Sequence, residues 1–458
     1  MKNFSAVILA AGAGTRMKSA LPKVMHKLSG KPIINWVISS VEKLNPENIV
    51  VVLGHKAEIV EEYLKSLENP KIKIVYQKEQ LGSAHALMQA QKELKNYNGE
   101  ILVVSGDVPF VKSSTLSALL KQNKKNNASI TVLASQVENP FGYGRIIKTG
   151  SVLEKIVEEK DASNKEKLIK EINGGIYCFD KNIWNALSKV KPDNAKKEYY
   201  LTDTVEILKK SGKKASFIVT RDSFEVKGVN NRKELAQAER IFQERKIQGL
   251  LESGVMLINP ENTYVSYDAK IGSDTVIYPG AFISNGVSIG KSCVIQGTSF
   301  IKNSQIGDNC EISYSYVNGA IINKNVKIGP FSHIRPDSVL KDNVRVGNFS
   351  EIKKSVVSTG SKVNHLSYIG DAIVGVNVNI GAGTITCNYD GRKKHQTHIG
   401  DSSFVGSNVN FVAPVKIGKG ALIAAGSTIT HDIPSGKLAI ARARQEVKQR
   451  KDKVKSEE

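Results

Sequence analysis

Cysteine is scarce in this chain, at four residues in 458, with no CxxC spacing among them. Cys178, Cys293, Cys310 and Cys387 lie too far apart in sequence to suggest a compact zinc site or a disulfide framework. Unpaired thiols instead suit a reducing, cytoplasmic compartment. Aromatic residues make up only 6 %, which argues against a nucleic-acid face, where Lys and Arg cluster with interleaved aromatics. No apolar run reaches the ~18 residues of a membrane span. A Lys ahead of AVILAAGA imitates a short signal peptide, but the segment continues into glycines and basic residues that suit a phosphate loop.

Acidic residues are few relative to basic ones, 44 against 65, which leaves a net charge of +21. The excess is spread, with 41 basic against 27 acidic residues in 1–250 and 24 against 17 in 251–458. Such a field raises the local concentration of small anionic substrates. The remaining composition, 40 % hydrophobic and 24 % charged, is ordinary for globular domains.

The first 230 residues alternate apolar runs with helical spacing. Strands are predicted over 5–10, 49–53, 72–76 and 101–105, and helices over 33–44, 59–67 and 83–94. Strands separated by helices of this length imply βαβ units and a doubly wound α/β domain, Rossmann-like, with its ligands at the carboxyl ends of the strands. Residues 231–253 then read as one long helix, stopped at Gly254. The expected division is a domain over 1–230, a linker helix over 231–254 and a second domain over 255–458.

Beyond the helix the pattern changes. Aliphatic residues recur every six positions, from Val265, Ile271 and Ile277 to Ile301, shift by one, and resume at Ile306 and Ile312. They return from Ile322 to Ile352 and again from Ile399 to Ile429, often followed by Gly. A period of six fits neither helix nor alternating strand. It is that of a hexapeptide β-helix, in which each hexad supplies one short strand and one inward aliphatic. Residues 382–398 interrupt the period and are expected to leave the coil as a functional loop. After Ile429 a basic tail over 435–458 is expected.

Two regions carry chemistry. LAAGAGTRM over 9–17 follows the first strand and matches neither a dinucleotide fingerprint nor a Walker A loop. Gly12 and Gly14 let backbone approach a phosphate, with Thr15 and Arg16 as donor and cation, and LPKV places Lys23 close behind. Asp107 ends a strand, where a hard oxygen ligand for Mg²⁺ is expected. In the second half, His333, His365, His395, His398 and His431 are candidates for a general base.

GAGTRM and LPKV, followed in order by QLGSAHA (80–86), SGDVP (105–109), FGYGRI (141–146), EINGGIY (171–177) and GVNNR (228–232), resemble the sugar-1-phosphate nucleotidylyltransferase family. Joined to the hexapeptide array, they resemble its bifunctional branch, which makes a precursor of the bacterial cell wall. The resemblance covers nearly the whole chain. It implies that acetyl-CoA acetylates glucosamine-1-phosphate in the β-helix, and that UTP with Mg²⁺ then activates N-acetylglucosamine-1-phosphate in the α/β domain.

The same resemblance implies residue roles. Leu9, Ala10, Ala11 and Gly12 would line the nucleotide, with Arg16 and Lys23 on its phosphates. Gln77, Gly82 and Ser83 would meet the uracil, and Ser105, Gly106 and Asp107 would follow on the next strand. Gly144, Glu158, Asn173 and Asn230 would surround the amino sugar, with Glu159 an alternative to Glu158, and Asp107 with Asn230 would hold the metal. Ser83 and Gly174 stand where the family commonly has Thr.

In the β-helix, NHLSYIGD makes His365 the base, with Asn364 and Val363 departing from the usual small residues. Arg335, Lys353, Tyr368 and Asn379 would bind the sugar phosphate. Ala382, Ser407, Ala425 and Arg442 would line the acetyl-CoA groove, with Asn388 and Tyr389 falling to the sugar pocket or that groove. A left-handed solenoid and a homotrimer are implied as well, with no nucleic-acid partner.

Other readings of the sequence are a single-activity nucleotidylyltransferase with a regulatory β-helix, a non-enzymatic scaffold and a metal-dependent β-helix hydratase. NHLSYIGD and the CNYDG insertion oppose the first, intact Lys23 and Asp107 the second, and the whole of residues 1–230 the third.

Overall fold

The computed structural model describes residues 3–449; the end of the expected tail, residues 450–458, lies outside the described residues. The chain divides into two compact units, 1–240 and 241–458, and the boundary falls inside a helix, Arg232–Glu252.

The first unit is built on a mixed sheet. Its strands lie in the order Ala215–Thr220, Ile130–Gln136, Glu171–Phe179, Glu100–Ser105, Phe4–Ala10, Ile49–Leu53 and Ile72–Tyr76. The sheet is not wholly parallel as βαβ alternation suggests, because Glu171–Phe179 runs antiparallel to both its neighbours. A bulge between Asn173 and Tyr177 breaks its register with Ile130–Gln136. The helix predicted over 83–94 is two pieces, Ser83–Gln89 and Gln91–Leu94, divided at Ala90. Phe4–Ala10 pairs with Ile49–Leu53 on one side and Glu100–Ser105 on the other. The chain therefore leaves this strand at a topological switch point, where an open α/β sheet forms its crevice. LAAGAGTRM begins there.

The second unit is a parallel β-helix, the architecture of left-handed hexapeptide solenoids. Among the described residues, three sheets of eleven, ten and nine strands form its faces, each strand pairing in parallel with its counterpart one coil on. Ile295, Ile334 and Ile352 point inward with no exposed surface, so consecutive coils stack one continuous core. The aliphatic period also runs unbroken where the sequence looked silent, through Val357, Val363, Ile369, Val374 and Ile380. One shift of a single residue, from Ile312 to Val317, lies at the corner between the first and second sheets, and the others lie at the corner between the second and third. Asn303, Lys354 and Asp371 adopt left-handed backbone there, at φ of 46°, 45° and 50°.

Two boundaries differ from the expectation. Only residues 388–396 leave the coil, because Ile385–Cys387 and Thr397–Ile399 remain strands. Thr386 takes the inward place of an aliphatic, and its hydroxyl accepts the Gly370 N–H at 2.8 Å and meets the Gly370 carbonyl at 3.0 Å. A polar residue at an inward position is what hid this coil. The repeats also continue past Ile429, since Leu438–Ala439 pairs with Leu422–Ile423.

Candidate active sites

In the first unit, a cleft of about 450 Å³ opens at the switch point, lined among others by Leu9, Ala11, Gly12, Arg16, Lys23, Gln77, Gly82, Ser83, Ser105 and Asn230. Gly14 turns the loop at a φ of 61°, and a Cβ on it would lie 2.8 Å from Lys23 Cβ. The loop therefore packs directly on the lysine stem. Ala10 closes the first strand, and the Gly106 N–H donates to the Leu9 carbonyl at 2.8 Å, which ties the loop carrying Asp107 to that strand.

The Lys23 ammonium forms an ion pair with Asp107 Oδ2 and donates to Asn230 Oδ1 at 3.2 Å. Arg16 donates to the same Asn230 oxygen at 3.0 Å. Two cations, a carboxylate and an amide oxygen thus converge from four separated segments. The Asn230 N–H donates in turn to Glu234 in the first turn of the long helix, at 2.7 Å.

Gly144, Glu158 and Asn173 meet in a second group within this unit. The Asn173 N–H donates to the Gly144 carbonyl at 2.9 Å, and a Cβ on Gly144 would lie 3.4 Å from Glu158 Oε1. Burial raises the Glu158 pKa, partly offset by the Thr202 hydroxyl at 3.2 Å. Glu159, the sequence alternative, pairs with the buried Arg145 guanidinium at 2.6 Å and accepts the Gly142 N–H. Gly174, one of the departures, is packed so tightly that a Cβ would lie 2.5 Å from Val226 Cγ1. Ser83 uses its hydroxyl to accept the Leu201 N–H at 3.0 Å, which a Thr hydroxyl at that place could also do. Asp203, which sequence reading passed over, joins this acidic neighbourhood. Burial and the Glu158 charge push its pKa up to about 6.

In the β-helix, one corner column carries a series of the candidates. The Leu366 N–H donates to Asn348 O, Gly383 N–H to His365 O, Asn408 N–H to Ala382 O and Gly426 N–H to Ser407 O. Arg442 completes the column by donating to Ala425 O at 2.7 Å. His365 and the residues read as an acetyl-CoA groove thus stack on successive coils, over about 19 Å at the ~4.8 Å strand spacing. His365 Nδ1 lies 2.8 Å from Asn348 Oδ1. An oxygen partner makes Nδ1 the donor and leaves the lone pair on Nε2. Asn348 carried no signal in sequence, because its partner is one coil away.

The second face and its far corner hold the charged candidates. Arg335 pairs with Glu351 at 2.7 Å. Lys353 lies 3.8 Å from Asp371, and Asn388 donates to Asp371 at 2.5 Å and approaches the Tyr368 hydroxyl at 3.4 Å. Tyr389 is exposed and forms a bridge with Lys394 across the loop. Lys394, also passed over, has its pKa lowered by the neighbouring Lys353 ammonium. Two ammonium groups held this close favour an anion between them. Asn379 does not join this group: it pairs with Lys362 and Phe404 on the first face, whereas Tyr368 belongs to the second. Of the other histidines, His395 is paired with Asp390 at 2.6 Å and His333 packs edge-on against Tyr316.

Comparison with known proteins agrees with this division. A nucleotidyl transferase family model matches residues 5–228, a GMPPB C-terminal domain model 316–389, and a bacterial transferase hexapeptide model 396–431. The chain is 50 % identical over 448 residues to a protein of Caldanaerobacter subterraneus called bifunctional protein GlmU, covering 97 % of this chain and 96 % of that one. Proteins of the same name from Thermoanaerobacter pseudethanolicus and a Geobacillus species are each also 50 % identical, over 97 % and 96 % of this chain and 96 % and 95 % of their own.

Proposed function

This chain belongs to the bifunctional GlmU family, and from that premise we propose how its residues divide two transfer reactions. It is an enzyme with uridyltransferase and acetyltransferase activities, the first in the nucleotidyltransferase unit and the second in the β-helix. The observation that carries the reading is the convergence of Arg16, Lys23, Asp107 and Asn230 on one point of the switch-point cleft.

In uridyl transfer, a phosphate oxygen of N-acetylglucosamine-1-phosphate attacks the α-phosphorus of UTP. A new P–O bond forms, the bond to the β-phosphate bridge breaks, and pyrophosphate leaves. Little covalent work falls to the protein, so positioning and charge stabilisation dominate. Arg16 and Lys23 hold phosphate charge, Gln77, Gly82 and Ser83 face the uracil, and Gly144, Glu158 and Asn173 receive the amino sugar. Asp107 and Asn230 fit a hard divalent cation, because their oxygens already converge on one cationic atom, the Lys23 nitrogen. Mg²⁺ is commonly bound through one or two protein oxygens together with water and substrate phosphates, and Asp107 and Asn230 would be the protein's share. When bound, it would supply further neutralisation of the triphosphate.

In acetyl transfer, His365 Nε2 accepts a proton from the amine of glucosamine-1-phosphate as the nitrogen attacks the thioester carbonyl. The C–N bond forms, the C–S bond breaks, and the CoA sulfur leaves as the thiol after protonation. Arg335, Lys353 and Lys394 hold the sugar phosphate, with Tyr368 and Asn388 beside it. The Ala382, Ser407 and Ala425 corner accommodates the extended arm of acetyl-CoA, and Arg442 takes one of its phosphates. A homotrimer suits two features: Asn379 stands on another face from Tyr368, and Phe331, Phe349 and Leu366 form an exposed apolar row beside His365. Among the described residues no helix is long and apolar enough to cross a membrane.

The test is to run both half-reactions separately on one preparation. CoA release from acetyl-CoA and glucosamine-1-phosphate, and pyrophosphate release from UTP and N-acetylglucosamine-1-phosphate, should both occur. Absence of CoA release would leave a single-activity enzyme.

A further inference from the structure

Gln77 follows the strand Ile72–Tyr76 and lines the nucleotide cleft with only 4 % of its surface exposed. Its amide nitrogen has two hydrogens, and both are engaged. One is donated to the Gly82 carbonyl at 3.1 Å, and the other faces His85 Nδ1 at 3.0 Å. The Gly82 carbonyl admits only the nitrogen end of the amide, so Nδ1 of the ring must act as acceptor. The amide is then pinned, and Oε1, which has no hydrogen-bond partner among the described residues, is what Gln77 can offer the cleft.

His85 is fixed in turn by its own helix, Ser83–Gln89. Gln89 Nε2 donates to the His85 carbonyl at 3.0 Å, and Tyr199 packs at 6.4 Å between ring centroids; the far ring nitrogen, which carries the hydrogen when Nδ1 accepts, lies 3.3 Å from the Gln89 amide nitrogen without a hydrogen bond to it. His85 itself does not line the nucleotide cleft.

We propose that His85 is a positioning residue for base selection: by accepting from Gln77, it keeps the amide oxygen turned to the base. Uracil presents an N3–H donor where cytosine presents an N3 acceptor, so an amide locked with its oxygen forward favours uracil at that edge. A flipped amide would present NH₂ and favour cytosine. The inference rests on the assignment of Gln77 to the uracil subsite, and the test separates the two.

The experiment measures kcat and KM for UTP and CTP with the full-length protein, using acetyl transfer as the control for folding. His85→Leu removes the acceptor. It should raise KM for UTP about fivefold, the loss of roughly one neutral hydrogen bond, with kcat and KM for N-acetylglucosamine-1-phosphate little changed. The UTP/CTP ratio of kcat/KM should fall by a similar factor. His85→Asn, whose Oδ1 occupies about the place of Nδ1, should restore the ratio. An unchanged ratio in His85→Leu, or a parallel loss for both substrates that Asn does not rescue, would overturn the proposal. Gln77→Ala run alongside distinguishes the other failure: if it too leaves the ratio unchanged, Gln77 does not read the base.

Discussion

The Lys23 ammonium is ion-paired to the Asp107 carboxylate across 84 residues of sequence. Both side chains are 17 % exposed, at the edge of the cleft. The carboxylate that would hold a divalent cation is therefore already neutralised by a lysine. Were Asp107 to take a divalent cation, Lys23 would be free to turn from the carboxylate to a phosphate of the nucleotide.

Asp107→Ala is expected to lower Mg²⁺-dependent pyrophosphate release by about 10²-fold or more, on the scale of losing a principal charge-stabilising group. CoA release should be unaffected. Retention of uridyl transfer in this variant would remove Asp107 from the metal site.

His365→Ala should lower acetyl transfer by about 10²–10⁴-fold, the usual contribution of a positioned general base. Asn348→Ala should give a smaller loss, because the base remains and only its tautomer and orientation are released. Uridyl transfer serves as the control for both. Equal losses in both activities would indicate misfolding rather than catalysis.

Lys394→Ala should raise KM for glucosamine-1-phosphate several-fold with kcat nearly unchanged, since the neighbouring Lys353 still meets the phosphate. Added salt should raise KM in the wild type and raise it less in the variant, because one screened charge has gone. A kcat effect without a KM effect would place Lys394 elsewhere in the reaction.

Asp203 supplies a pH-dependence with a definite sign. Its pKa is pushed up to about 6, first by burial and then by Glu158, Asp161 and Glu206. The folded form therefore binds more protons than the unfolded chain between about pH 4 and 6, and stability falls as pH rises through that window. Asp203→Asn removes this loss, so its stability advantage should open over pH 4–6 and stay level above. Trp36 and Trp184, the only tryptophans, both lie in the first unit, so their fluorescence during urea unfolding reads this unit alone. An advantage that grew toward low pH would contradict the assignment.

Thr386→Val should destabilise the β-helix locally by about 1–3 kcal/mol, because the buried Gly370 N–H loses the Thr386 hydroxyl to which it donates. Hydrogen exchange should show faster exchange at Gly370 and in the 388–396 loop, which starts from that strand. Unchanged protection would mean that the backbone closes the gap itself.

The six-residue period was legible because a solenoid core is nearly one-dimensional. Each inward residue meets its counterpart one coil away, so the pattern repeats in sequence as it does in space. It failed at Thr386, where an inward position is polar, and at Leu438, where one more strand follows an irregular segment. Strands of the first unit were legible from apolar runs, with Ile49–Leu53 and Ile72–Tyr76 found at the predicted bounds. The antiparallel course of Glu171–Phe179 was not, because strand direction leaves no mark on composition or periodicity.

The sequence alone determined the local matters: which segments repeat, where glycines permit a phosphate loop, and which motifs recur in a known order. Those depend on residue type and spacing, which a single chain displays directly. Only the tertiary structure decided which distant groups act together. It set Lys23 between Asp107 and Asn230, gave His365 its oxygen partner on Asn348, and turned the Gln77 amide with His85. Hydrogen bonds and ion pairs act over about 3 Å, and neighbours at that distance are fixed by packing rather than by order along the chain.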